Sequence, residues 1–139
     1  MLKISFEREI NADLEKSFEV ISNFENFQKL FPNFYTSILI KSVRDESSLV
    51  AEHLKLHDTE FIIMSKHFVS KPHSHEMRVV CGDLKGSSIN ETFTSDNGKT
   101  LLKVNVELDV KSSRFSKNNP YEESLKNLYD VMIKEIEKS

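Results

Sequence analysis

The chain has no tryptophan, a single cysteine, and only three glycines and three prolines in 139 residues. The lone Cys81 excludes an internal disulfide and fits a reducing compartment, so the protein is expected to be cytoplasmic. Scarce Gly and Pro leave the turns to Asn, Asp, Ser and Lys, and no repeat or low-complexity tract interrupts the chain. No run approaches the roughly 20 apolar residues that a membrane span needs, and the opening MLKISFEREI lacks a signal peptide's layout. The net charge of −3 gives no general attraction for nucleic acid, so DNA is not an expected partner. There is no Gly-rich phosphate loop, no HExxH, no paired-Cys knuckle and no G-x-S-x-G elbow. Each absence removes a class of nucleotide, zinc or serine-hydrolase chemistry that is visible without an alignment.

What is present is periodicity. Leu2, Ile4, Phe6 and Ile10 alternate with Lys3, Ser5, Glu7 and Glu9, the signature of a half-buried strand. Asn11 is an N-cap candidate, with Asp13 and Glu15 in the following turn, and Leu14, Phe18 and Ile21 fall at helical spacing. A short helix is predicted over 12–22 and a second over about 25–31, stopped by Pro32. Period two then takes over, with strands predicted at 34–44, 48–57, 60–70, 75–81, 86–95 and 99–110. In the last of these Leu102, Val104, Val106, Leu108 and Val110 alternate with Lys103, Asn105, Glu107 and Asp109, so one face is buried and the other wet. Residues 111–119 read as the one polar stretch that resembles a linker. A helix from Pro120 to Lys138 closes the chain, with Tyr121, Leu125, Leu128, Met132 and Ile136 in a stripe widened by Tyr129 and Ile133.

The implied fold class is α+β: one domain over 1–139, with a seven-stranded curved antiparallel sheet. Two short helices follow strand 1, and the long C-terminal helix packs on the concave face. One helix does not fill the concavity of such a sheet, so a pocket is expected between them.

This order, with its local text, resembles the SRPBCC or START-like (helix-grip) superfamily, nearest to the coenzyme-Q-binding and polyketide-cyclase-like branch. The stretch from Ile10 through Asp13, Phe18 and Phe24 to Phe27 is similar to that branch's strand-to-helix entry, and Cys81-Gly82-Asp83-Leu84-Lys85-Gly86 through Phe93 to its glycine-led strand pair. Glu91 stands where the family pattern places a tryptophan, and Asp83 where it places a proline. The resemblance implies a lipophilic ligand (isoprenoid, quinone or polyketide-like) in an internal cavity and no cofactor. The apolar ligand wall would be Leu54, Phe61, Ile63, Met77, Val79, Val104, Leu108, Leu125, Leu128 and Met132, and the polar minority Arg8, Glu52, His67 and Glu91. Phe27, Phe31 and Phe34 would form a lid, or equally ordinary core.

Among the chemistry-bearing residues, Glu52 and His67 stand out. With Asp58-Thr59 as the hairpin turn, Leu56 faces Phe61, Leu54 faces Ile63, Glu52 faces Ser65 and Val50 faces His67, all on one sheet face. A carboxylate orienting an imidazole inside an apolar cavity is raw material for acid–base catalysis, and equally for a structural polar patch. Arg8 and Glu91, also on inward faces, would pair with each other or anchor a head group. His53 and His57 lie four apart on one strand, roughly 13 Å, too far to share an ion. His73 and His75 flank a turn and read as solvated, so no metal is expected. Three functions follow: a non-enzymatic carrier or sensor of a small lipophile, a cyclase, dehydratase or hydrolase using Glu52 and His67, or a ribosome- or protein-interaction module. The dispersed lysines and acidic balance weigh against ribosomes.

Overall fold

The computed structural model describes residues 1–110 and 119–138. The strands are β1 (Leu2–Ile10), β2 (Tyr35–Val43), β3 (Ser48–Leu56), β4 (Thr59–Ser70), β5 (Ser74–Gly82), β6 (Ser88–Asp96) and β7 (Lys99–Leu108). The helices are α1 (Leu14–Ser22), α2 (Phe27–Leu30) and α3 (Pro120–Lys138), with a 3-10 turn at Phe24–Asn26. The sheet order is β1-β7-β6-β5-β4-β3-β2, every neighbouring pair antiparallel. β1 and β2 are therefore consecutive strands on opposite edges, and α1 and α2 carry the chain across between them.

Local chemistry places these elements. Asp13, not Asn11, caps α1: its side chain accepts the Lys16 backbone N–H at 2.8 Å. The contact falls three residues ahead, the spacing an N-cap oxygen reaches, whereas the Asn11 backbone N–H donates instead to Glu137 Oε2 at 2.8 Å. Asn97 and Gly98 join β6 to β7 with φ of 52° and 83°, the left-handed pair a two-residue hairpin requires. Gly82, at φ 86°, leaves room for a neighbouring strand, since a Cβ there would lie 2.5 Å from the Ile62 carbonyl oxygen.

The β3–β4 hairpin corrects one expectation. Leu56 pairs with Thr59, Leu54 with Phe61, Glu52 with Ile63, Val50 with Ser65 and Ser48 with His67, so His57 and Asp58 form the turn. His57 takes the left-handed conformation, φ 55°, and its N–H donates to Ser124 Oγ on α3 at 2.9 Å. The register differs from the predicted one by two residues. Because side chains alternate with period two, every predicted inward residue keeps its face. β7 also ends at Leu108 rather than 110, and 111–118 of the linker reading lies outside the described residues.

Alternation on the sheet and the stripe on α3 close one core. Val104, Leu108, Leu125, Leu128 and Met132 are each at most 3% exposed. Each such side chain contributes roughly 1.5–3 kcal/mol by leaving water. α3 packs against β1, β3 and α1, which holds it across the inner face.

Candidate functional site

Four adjacent strands each place one ionisable residue on the inner face: Glu52 from β3, His67 from β4, His75 from β5 and Glu91 from β6. His75 and Glu91 sit directly opposite each other, and His67 lies diagonally from His75. Their side chains join end to end. Glu52 Oε2 is 2.9 Å from His67 Nε2, His67 Nδ1 is 2.8 Å from His75 Nε2, and His75 Nδ1 is 2.6 Å from Glu91 Oε1. The Tyr129 hydroxyl on α3 then donates to Glu91 Oε2. All five residues are buried, Glu52 completely. The two imidazoles are nearly coplanar, at 13°, with centroids 5.1 Å apart, the edge-to-edge placement of an in-plane N–H···N bond.

Proton counting sets a minimum for this relay. Burial, then the charge of Glu91 and its hydrogen bond, hold the Tyr129 phenol well above the ordinary 10, so it stays protonated and donates. Tyr35 is held up likewise, by burial first and then by Glu52 and Glu91. Three contacts remain along the chain, and each needs one proton between its two heavy atoms. Two neutral imidazoles bring only two. The third proton makes one imidazole cationic or one carboxyl neutral. The proton belongs to the group, not to one residue.

A cleft of about 470 Å³ opens beside the relay, between the end of α1 (Glu19, Ser22, Asn23) and the β2–β3 turn, with His67 in its wall. Phe24 also lines it, and covers the imidazoles: its ring centroid is 4.3 Å from that of His67 and 6.5 Å from that of His75. Val43 and Val69, both exposed, form part of the rim. Two buried oxygens near the relay have no hydrogen-bond partner among the described residues: Glu52 Oε1 and Ser65 Oγ. No three or more His, Cys, Asp or Glu side chains among the described residues converge to hold a metal ion.

The other sequence-derived candidates lie elsewhere. Leu54, Phe61, Ile63, Met77, Val79, Val104, Leu108, Leu125, Leu128 and Met132 belong to the buried core, as do Phe27 and Phe31, whose rings are 6.0 Å apart. Of the predicted ligand residues only His67 lines the cleft, while Phe61 borders a separate groove of about 390 Å³ with Tyr121 and Leu84. Arg8 does not meet Glu91. Its Nε donates to Asp130 Oδ1 at 2.9 Å, and its guanidinium lies 5.0 Å from the centre of the Phe6 ring. β1 is an edge strand and the Arg8 side chain is 31% exposed, so the charge stays in reach of water while Glu91 is taken by His75 and Tyr129. His75 is not a solvated turn residue but a buried link. Its signal was available, since it shares parity with Met77 and Val79, both expected inward.

Known structures share this architecture. A START superfamily protein from Mycobacterium smegmatis superimposes with a TM-score of 0.81 at 14% identity, covering 98% of this chain and 97% of its own. The chain has the helix-grip fold. Ginseng major latex-like protein 151 from Panax ginseng gives 0.78 at 12%, covering 96% of each chain. The Zhui aromatase/cyclase from Streptomyces sp. R1128 gives 0.71 at 12%, covering 99% of this chain and 94% of its own. No family model matches the chain, and no curated protein matches it significantly. At these identities the helix-grip likeness speaks to fold, not to activity.

Proposed function

We propose that the protein is a carrier or sensor of a small lipophilic molecule of isoprenoid, quinone or polyketide-like kind, taken up through the cleft and held head-first over His67. The observation that carries this reading is the position of His67, at once a wall of the cleft and a member of the buried relay. A volume near 470 Å³ lies within the range of small-molecule sites. Phe24, Val43 and Val69 supply apolar contact for the body of the ligand, and the relay supplies polar contact for its head. The core residues named from the sequence would act as the rigid support behind the site. Carriage in a reducing cytoplasm suits a chain whose lone cysteine, Cys81, is exposed. Among the described residues no helix is long and apolar enough to cross a membrane.

Binding is favoured over catalysis with His67 as the base because both of its ring nitrogens are already engaged. A histidine acting as general base needs a free nitrogen within reach of the proton it removes. The test is a fluorescence titration with Nile red, a neutral lipophile, on the wild type and on Ser47→Trp, which fills the cleft from the β2–β3 turn. Saturable binding that weakens about tenfold in the variant, the loss of roughly 1.4 kcal/mol of contact, is expected. Absence of saturable binding, or identical titrations, would overturn the proposal.

A further inference from the structure

We infer that the ligand head group is a neutral hydroxyl, held between Glu52 and Ser65, and that carboxylates are excluded. This rests on the small-molecule reading above and adds the chemistry of the head. Every hydrogen-bond donor in the relay is spent: both nitrogens of His67 and of His75 are engaged, and the Tyr129 hydroxyl is on Glu91. What stays open is Glu52 Oε1, a carboxyl oxygen, and the Ser65 hydroxyl, both in residues at 0% exposure. A buried polar atom left without a partner is costly, so these two atoms favour any group that satisfies them.

Their placement narrows the group further. Val50 pairs with Ser65 and Glu52 with Ile63, so Glu52 and Ser65 are diagonal neighbours on the inner face of adjacent strands. They are not bonded to each other. A hydroxyl donates one hydrogen bond and accepts others, so it serves the Glu52 oxygen and the Ser65 hydroxyl together. A carboxylate brings no proton for Glu52 and sets a third carboxyl group beside those of Glu52 and Glu91. The approach discriminates in the same direction, because the cleft is lined by the carboxylates of Glu19, Glu25, Asp45 and Glu46 against two cations, Arg44 and Lys71. Glu52 and Ser65 lie behind the cleft wall rather than in it, and His67, which does line the cleft, is bonded to Glu52.

Three probes of one shape test this at neutral pH by calorimetric titration: naphthol, naphthalene and naphthoate. Naphthol is expected to bind about tenfold more tightly than naphthalene, the order of a hydrogen bond to a charged acceptor, with naphthoate weakest. Glu52→Gln, which turns the free acceptor into a donor, is expected to bring naphthol down to the naphthalene level, and Ser65→Ala to lower it by a smaller factor. Circular dichroism checks that each variant is folded, and Ser65→Ala, which leaves the relay intact, decides the matter if Glu52→Gln does not fold. Naphthoate binding as tightly as naphthol, or a naphthol affinity unchanged in the folded variants, overturns the inference and leaves a buried water as the partner of both atoms. Naphthalene binding without a naphthol preference overturns it while keeping the small-molecule reading. Failure of all three probes overturns both.

Discussion

The inner face of the sheet has two regions built by the same alternation and held by different physics. Towards the β3–β4 turn, Leu54, Leu56, Phe61 and Ile63 are buried, with the Phe61 ring 5.5 Å from that of Tyr121 at the start of α3. Towards the opposite end, Glu52, His67, His75 and Glu91 form the relay under Phe24 and Tyr129. Apolar burial is non-directional, so the first region tolerates small adjustments of rotamer. The second depends on contacts of 2.6–2.9 Å between particular atoms, and each group left alone there is a desolvated charge or dipole. A buried ionic chain is a weak way to stabilise a fold compared with well-packed hydrocarbon. Its presence in one region only sets that region apart from the rest of the core.

Unfolding measurements can break this contrast. Glu91→Ala strands His75 and Tyr129 together and is expected to lower stability by about 3–5 kcal/mol in urea titration. Leu128→Ala on the apolar side is expected to cost about 2–5 kcal/mol, and the two differ in kind. Cost at Leu128 follows the cavity and should be partly recovered by Leu128→Met, whereas Glu91→Met should recover little. Equal recovery at both positions would erase the distinction.

Alkaline titration sharpens it. Tyr129 and Tyr35 are held above 10 in the folded protein, so the native state keeps protons that the unfolded chain releases. Stability from these phenols is fully present below pH 10 and is lost as pH rises beyond it. Tyr129→Phe should cost about 1.5–3 kcal/mol at neutral pH through the lost bond to Glu91, and should flatten the fall in stability above pH 10. An unchanged alkaline slope would remove Tyr129 from the relay. The smallest effect is expected at the surface: Lys99→Ala, which breaks a half-exposed pair with Glu9 at 3.1 Å, should change stability by about 0.2–1 kcal/mol and vanish in high salt.

Much of the frame was legible because it depends on period alone. The alternation in residues 99–110 and the stripe on the last helix identify their buried faces without knowledge of any neighbour. The same parity carries Glu52, His67 and Glu91 inward, and this held even though the β3–β4 register was read two residues away from its actual pairing. Parity also pointed to His75, but a Pro-containing turn beside it suggested solvent instead. Arg8 shows the opposite failure: it has inward parity on an edge strand, where a long side chain turns back to Asp130 and water.

By itself the sequence determined the order of the elements, the parity of the strand residues, and that Glu52, His67 and Glu91 are polar residues to be accommodated inside. Those follow from short-range rules of spacing, capping and turn geometry. The Glu52–His67 pair was legible, but only the tertiary structure decided that it runs on through His75 to Glu91, that two imidazoles lie edge to edge, that Tyr129 closes the chain, and that Glu52 Oε1 and Ser65 Oγ are left open. Hydrogen bonds depend on tenths of an ångström between groups from four strands and a helix. Strand register, sheet curvature and the seating of α3 set those distances, and none of them is written in a local pattern.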